Sequence, residues 1–294
     1  MNNNNDINDD EIRVIGKEQD PPNPSRRFRG WMLAIAAIVL LLLLLVFFLL
    51  RQPHSEHLAQ QTTPFDSSSV VLTEDLSISD VWMTTFDDAY PAATTLVDTT
   101  VGNLSLTIMT PHNAKAELCV GSLDTNDASI IFATQAADIR HDNGKIVGAF
   151  VCKGEPKAWG LSKKGYCAIF DERITLGVAD NSPLFEQATE EGGYFFRQYP
   201  LVNQGKIVDN LLENSALRRA LCQWKGQVHV IVCHDRVTMN DFSNALVQLG
   251  VQNAIYLVGS TAYGYAIDPQ GVKYSLSKDP YSKNANVNFI VFRR

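Results

Sequence analysis

One long apolar stretch stands out from the pattern of hydrophobic and polar positions along the chain. Residues 31–50 carry no charged side chain and end in a run of leucines with two phenylalanines. At a rise of ~1.5 Å per residue, about twenty apolar residues form a helix that crosses a hydrocarbon core of ~30 Å. The pattern therefore predicts one N-terminal transmembrane helix over residues 31–50.

A cleavable signal peptide is the alternative interpretation of this stretch. Its apolar core is typically ~7–15 residues long and precedes a small-residue cleavage site. The stretch here is longer and the residues after it, 51–54, offer no such site, so an uncleaved anchor is favoured. Arg26, Arg27 and Arg29 precede the stretch and Arg51 flanks its other end. The positive-inside rule then places the N-terminus in the cytoplasm.

The flanking composition divides the chain further. Residues 1–30 are polar and lack the apolar positions of a core, which predicts a disordered cytoplasmic tail. Residues 51–69 read as a polar stalk with prolines and a serine cluster. Residues 70–294 are long enough for one large domain, and the predicted topology makes that domain periplasmic or extracellular.

Residues 218–264 show the clearest sheet pattern in this domain. A glycine that accepts positive φ suits a two-residue hairpin turn, so a turn is predicted at Lys225-Gly226. That register places Arg218 opposite Cys233, on the less apolar face. The apolar face, set by period-two alternation, is made by Leu221, Val228, Val230 and Val232.

A helix and a buried strand follow the hairpin. Thr238 to Asp241 resembles a capping box, an apolar stripe runs from Phe242 to Leu249, and Gly250 suits a C-terminal cap. Residues 254–258 are almost entirely apolar, as in a buried strand. Such a strand–helix–strand unit leaves its strands parallel, and ligands gather beyond their carboxyl ends. We therefore expect a binding rim at residues 259–264, whose free backbone N–H groups would cradle an oxyanion.

Elsewhere the domain shows more strand patterns than helix patterns. Short alternating segments occupy residues 81–86, 104–109, 147–152, 165–170 and 287–292. The predicted fold class is α+β: a strand-rich mixed sheet domain with a βαβ unit near the C-terminus, preceded by the transmembrane helix.

An ordered series of short motifs in the second half of the chain resembles the phosphodiester glycosidase family. The family pattern is Pro-Leu-Val with a following Gly, Arg-Thr-Ala, a helix ending in Leu-Gly, and a strand entering Leu-Asp-Gly-Gly-Gly-Ser-Ser. The matching segments here are Pro200-Leu201-Val202 with Gly205, Arg218-Arg219-Ala220, Leu249-Gly250 and Leu257-Val258-Gly259-Ser260-Thr261. The resemblance covers about half of the chain, from Asp138 onwards.

Two departures from the family pattern bear on activity. Val258 stands where the family has Asp, and a valine cannot accept a proton or hold a metal. The family's Asn-Gly-Gly-Phe-Phe element has no clean counterpart, and residues 137–144 are the nearest stretch. The chain is therefore either inactive or uses another acid. The resemblance leaves a divalent metal open, and the sequence specifies no cofactor.

The resemblance implies an enzyme that hydrolyses a glycosyl-1-phosphodiester in an envelope or host glycan. A catalytically degenerate domain that binds a glycan or envelope partner through the same cleft is the alternative. The chain has a net charge of −7 and no broad basic segment, so nucleic-acid binding is not expected. An anionic sugar-phosphodiester ligand then needs local cations, which gives weight to Arg197, Arg218 and Arg219.

Two groups of residues are candidates for the site. The catalytic candidates are Asp138, His141 and Asp142, although a polar turn ending in Asn143-Gly144 explains them equally well. The alternatives for the substrate-binding group are a surface ion pair for Arg218 and ordinary turn hydroxyls for the rim. The predicted substrate-binding residues are Arg197, Arg218, Gly259, Ser260, Thr261 and Tyr263.

The five cysteines show no zinc-binding spacing. Most are expected to be small buried hydrophobic residues. Cys152 and Cys167 lie on strands predicted to be neighbours and are the best candidates for a disulfide.

Overall fold

The computed structural model describes residues 82–83, 87, 89–277 and 284–294. The predicted tail, transmembrane helix and stalk all lie outside these residues. Within the described part of the chain, no helix has the length and apolarity needed to cross a bilayer. The two described helices are α1 (Leu184–Glu190) and α2 (Met239–Leu249).

Strands dominate the described residues, which confirms the predicted strand-rich fold with few helices. They are β1 (Trp82–Met83), β2 (Thr94–Val101), β3 (Leu104–Pro111), β4 (Lys115–Val120), β5 (Ile130–Gln135), β6 (Phe150–Cys152), β7 (Glu155–Ala158), β8 (Gly165–Phe170), β9 (Arg173–Val178), β10 (Tyr194–Gln198), β11 (Pro200–Asn203), β12 (Lys206–Ile207), β13 (Ala216–Trp224), β14 (Gln227–Val237), β15 (Asn253–Leu257), β16 (Gly264–Ile267), β17 (Lys273–Ser275) and β18 (Asn288–Arg293).

The strands form three sheets. The six-stranded sheet has the order β1-β9-β8-β10-β6-β7, the seven-stranded sheet β12-β11-β15-β13-β14-β3-β2, and the five-stranded sheet β17-β16-β5-β18-β4. The described ladders are antiparallel. β14 and β15 both pair antiparallel with β13, so they run in the same direction with β13 between them. The predicted βαβ unit is therefore present, but its two strands are not neighbours.

The predicted hairpin turn is confirmed, since Trp224 pairs with Gln227 across it. The register further along the hairpin is not as predicted. A bulge between Leu217 and Arg219 shifts the pairing, and Arg219 lies opposite Val232. Arg218 therefore sits within the bulge and has no partner at Cys233.

Both faces of the β13–β14 hairpin are buried. The predicted apolar face packs into the core between the sheets. The other face, which contains Cys222, packs with α2. Thr238 caps α2 by accepting a hydrogen bond from the backbone N–H of Asp241, and Gly250 ends it with φ of 86°. β13 is a central strand, since β14 and β15 flank it, and α2 covers its second face. Arg218 is therefore only 1% exposed, which excludes a surface ion pair.

All five cysteines are free thiols, so the predicted Cys152–Cys167 disulfide is wrong. Cys152 lies on β6 and Cys167 on β8, and β10 separates these strands. The thiol of Cys152 instead donates to the carbonyl oxygen of Leu118. Burial raises the pKa of the Cys167 thiol, which makes it unreactive at neutral pH.

Candidate active site

A buried ion pair lies just beyond the end of β5. Asp138 is 4% exposed, and its Oδ2 contacts the Lys163 ammonium, whose side chain is 6% exposed. The second carboxylate oxygen, Oδ1, is also buried and has no hydrogen-bond partner among the described residues. A buried acceptor without a partner is costly, so Oδ1 marks a position that a ligand atom would satisfy.

Lys163 belongs to the loop between β7 and β8 and was not singled out in the sequence. Its ammonium donates to Oε1 of Gln198 at 2.9 Å and lies 4.4 Å from the centre of the Tyr199 ring. Its backbone φ of +66° is unusual for a residue with a side chain. Strained backbone of this kind concentrates at functional sites.

Arg197, a predicted substrate-binding residue, binds the main chain of this loop. Its guanidinium donates to the carbonyl oxygens of Lys163 at 3.1 Å, Ala179 at 2.9 Å and Asp180 at 3.2 Å. Burial lowers the pKa of Arg197, and the nearby Asp180 carboxylate partly offsets that effect. These bonds give Arg197 the role of fixing the main chain around Lys163.

Arg219 connects the rim to the neighbouring sheet. Nη1 donates to Oγ1 of Thr134 at 3.1 Å and to the carbonyl oxygen of Ala262 at 2.9 Å, and Nη2 donates to that of Leu276 at 2.8 Å. Burial lowers the pKa of Arg219 to about 10, so it stays charged at neutral pH. All its hydrogen-bond partners in the described part of the chain are neutral oxygens.

Arg218 points to the opposite face of the sheet from Arg219. Its Nε donates to the carbonyl oxygen of Val237 at 3.1 Å, and Nη2 donates to Asn214. The guanidinium lies 5.8 Å from the centre of the Tyr256 ring. Arg218 therefore sits on the side covered by α2, whereas the side chain that binds the rim carbonyls is Arg219.

The predicted rim is a tightly bonded turn. The N–H of Gly259 donates to the Tyr256 hydroxyl at 3.1 Å, that of Ser260 to the Leu217 carbonyl at 3.1 Å, and that of Ala262 to Gly259 at 3.0 Å. These three amides are already used within the protein, so the predicted oxyanion cradle does not form from them. Thr261 is exposed and Tyr263 is half-buried.

His141 and Asp142 lie at the exposed tip of a tight hairpin whose base contains Asp138. The N–H of Val147 donates to the Asp138 carbonyl and closes the base. The Asp142 carboxylate pairs with Arg140 at 3.0 Å, and this contact lowers its pKa. The structure thus separates Asp138 from the other two catalytic candidates and favours the polar-turn interpretation for them.

A short segment joins the ion pair to the rim. The N–H of Gln135 donates to the Tyr263 carbonyl at 3.2 Å, and Nε2 of Gln198 donates to the Ala136 carbonyl at 3.4 Å. Thr134 at one end of this segment binds Arg219, and Asp138 at the other end binds Lys163. Residues 134–138 thus link the Asp138–Lys163 pair to Arg219, which binds the rim.

Residues 147–151 are a closer match to the family's Asn-Gly-Gly-Phe-Phe element than residues 137–144. Val147-Gly148-Ala149-Phe150-Val151 matches its Gly-x-Phe spacing, whereas residues 137–144 do not. Gly148 has φ of +83°, and a Cβ there would lie 3.0 Å from Arg197 Cβ and from the Ser162 carbonyl oxygen. Glycine is thus required beside the Lys163 loop. In this match Val147 stands at the position of the Asn in the family pattern.

Among the described residues, no cluster of three or more His, Cys, Asp or Glu side chains is placed to hold a metal ion. Two cavities lie elsewhere in the described part of the chain. One of about 390 Å³ is lined by Asp98 and His234, and one of about 360 Å³ by Tyr265 and Asp268.

Comparison with known proteins assigns the chain to a class. The profile of the phosphodiester glycosidase family matches residues 126–292, more than half of the chain. The chain belongs to the phosphodiester glycosidase family, which confirms the resemblance seen in the sequence. No functionally curated protein matches it.

Two solved structures share the fold. The zebrafish N-acetylglucosamine-1-phosphodiester alpha-N-acetylglucosaminidase catalytic domain, auto-inhibited by pro-peptide, is similar with a TM-score of 0.53 and 13% identity, over 73% of this chain and 87% of that one. A hypothetical protein from Synechocystis is similar with a TM-score of 0.51 and 14% identity, over 69% of this chain and 62% of that one. At these identities the likeness establishes the fold.

Proposed function

We propose that this chain is a membrane-anchored, extracytoplasmic phosphodiester glycosidase-like protein that hydrolyses a glycosyl-1-phosphodiester in an envelope or host glycan. The family match supports the reaction class. The apolar residues 31–50 and the flanking arginines support a lipid-bilayer anchor with a cytoplasmic N-terminus. The observation that carries the catalytic proposal is the buried Asp138 carboxylate with an unpartnered oxygen.

Asp138 would act as the general base. The adjacent Lys163 ammonium favours an ionised carboxylate. Oδ1 accepts a proton from water, the water oxygen bonds to the anomeric carbon, and the bond from that carbon to the phosphodiester oxygen breaks. The electron pair leaves on the phosphate, and the proton on Asp138 passes to solvent. The products are a free sugar and a phosphomonoester.

A buried cation supports an anionic leaving group at this site. Arg219, which binds the rim, is 2% exposed, and the described residues give it no carboxylate partner, whereas Arg218 lies on the other face of the sheet. Uncompensated positive charge in a region of low dielectric attracts a phosphate more strongly than the same charge in water.

A catalytically degenerate glycan-binding or envelope-binding domain is the second candidate. Val147 and Val258 stand at the two polar positions of the family motifs, and the rim amides are already bonded internally. A domain that had lost catalysis would keep the cleft and lose these polar groups first.

The test is hydrolysis of UDP-N-acetylglucosamine and a panel of glycosyl-1-phosphodiesters by the detergent-solubilised full chain. We expect turnover that falls by about 10²–10⁴-fold in Asp138→Asn, the usual loss for a general base. Asp142→Asn is the matched control, because this exposed carboxylate is paired with Arg140, and its rate should stay within about twofold of wild type. Unchanged turnover in Asp138→Asn would refute the assignment, and binding without turnover would favour the degenerate domain.

A further inference from the structure

Lys163 is held in place more firmly than a surface-loop lysine requires. Its ammonium contacts Asp138 Oδ2, Gln198 Oε1 and the face of the Tyr199 ring. Its carbonyl oxygen accepts a hydrogen bond from buried Arg197. Ordering a lysine side chain costs up to about 2 kcal/mol of conformational entropy, and its left-handed φ adds strain.

Two apolar side chains of the same loop are exposed to solvent. Trp159 is 72% exposed and Leu161 is 68% exposed, so the loop gains little from apolar burial. The buried ammonium therefore serves the contact with Asp138 rather than the packing of the loop. The ion pair occupies Oδ2 of Asp138 and leaves the buried Oδ1 without a hydrogen-bond partner among the described residues.

We propose that Lys163 is the positioning residue of this site: it occupies Oδ2 of Asp138, so that Oδ1 is the oxygen presented to the reacting sugar phosphodiester. This inference rests on the proposed function. Lys163 acts through Asp138 and does not touch the substrate, and Arg197 fixes its main chain. Among the described residues, Lys163 supplies the charged contact to the Asp138 carboxylate. Arg197 binds the carbonyl oxygens of Lys163, Ala179 and Asp180, and Arg140, His141 and Asp142 lie at the hairpin tip.

The kinetic test compares Lys163→Met, Lys163→Arg, Asp138→Asn and the Lys163→Met/Asp138→Asn double variant in the full chain. We expect Lys163→Met to lower kcat by about 10²-fold with KM within about threefold of wild type. Lys163→Arg, which keeps a positive charge beside Asp138, should recover part of that loss. The double variant should be no slower than Asp138→Asn alone, because a residue that acts through Asp138 has nothing left to position. Multiplied losses in the double variant, or a change confined to KM, would overturn the proposal.

A second measurement does not depend on turnover. The Asp138 carboxyl is followed by ¹³C NMR in protein labelled at the Asp side-chain carbon, with Asp138→Asn identifying the resonance. Removing the neighbouring cation in Lys163→Met should raise the titration midpoint by about one pH unit or more. An unchanged midpoint would refute the inference even if the protein hydrolyses its substrate. A raised midpoint in a chain that turns over nothing would support the contact between Lys163 and Asp138 while refuting the proposed reaction and, with it, the positioning role.

Should Lys163→Met fail to fold, Lys163→Gln replaces it in both measurements. Glutamine keeps much of the length and a donor but loses the charge. The expected titration shift is the same, and a midpoint equal to that of wild type again contradicts the proposal.

Discussion

Replacing Arg219 by Met should be among the most destabilising single changes in the domain. The guanidinium satisfies oxygens on Thr134, Ala262 and Leu276, which belong to three separate segments. Methionine fills much of the volume but donates nothing, so these buried acceptors lose their partner. Each loss costs about 1–3 kcal/mol, while removing a buried charge returns part of that sum. The expected net loss is about 3 kcal/mol.

The assay is thermal and urea unfolding of the full chain. For a domain of this size, a loss of about 3 kcal/mol corresponds to a fall in Tm of roughly 6–12 °C. Arg236→Met is the matched control, because this exposed arginine on β14 makes one bond to the Ser215 carbonyl, and its effect should stay within about 0.5 kcal/mol. An Arg219→Met variant within about 1 kcal/mol of wild type would show that the guanidinium does not hold the three segments together.

Two further predictions concern acid stability and the rim. Burial lowers the pKa of His229 to about 4, although a bond to the Trp224 carbonyl opposes the shift. In the unfolded chain this histidine has a pKa of ~6.5, so the unfolded chain binds more protons than the folded one between pH 6.5 and pH 4. The free energy of unfolding therefore falls by about 3 kcal/mol as the pH drops through this window. Urea titrations at several pH values should show a shallower fall in His229→Gln, and parallel curves for the two proteins would contradict the assignment. At Gly259, a Cβ would lie 2.2 Å from the Leu217 carbonyl oxygen, so Gly259→Ala should cost about 2 kcal/mol or more in unfolding free energy. Gly160→Ala is the control, since its Cβ would meet only ordinary contacts, and equal stability of the two variants would show that the rim yields easily.

The parts of the fold set by local pattern were predictable from the sequence. Some features depend only on residues within a few positions of one another. They are the hairpin turn, the helix caps and the alternation from Val228 to Val232, and the structure confirms them. The order of strands depends on distant segments. β13 enters between β14 and β15, and nothing in the strand–helix–strand pattern indicates that a preceding strand occupies that position.

The site was less predictable, for two physical reasons. One bulge between Leu217 and Arg219 changes which arginine faces the rim, and a bulge leaves little trace in a hydrophobic pattern. Lys163 lies 25 positions from Asp138 along the chain, and only the packing of the loop before β8 against the end of β5 brings them together. A lysine in a short polar loop gives no sequence signal that its ammonium is buried.

The hydrogen bonds of Arg219 join the ends of β5 and β15, and the Asp138 carboxylate lies beyond the end of β5. The family places an acid after β15, where this chain has Val258, yet the Arg219 guanidinium that binds the Val258 and Ala262 carbonyls also binds Thr134 at the end of β5. The two strand ends therefore border the same site. Asp138 lies four residues beyond Thr134, and it is the described carboxylate that is buried with an oxygen lacking a partner. In the proposed reaction Asp138, beyond the end of β5, would supply the carboxylate that Val258 cannot supply at the end of β15.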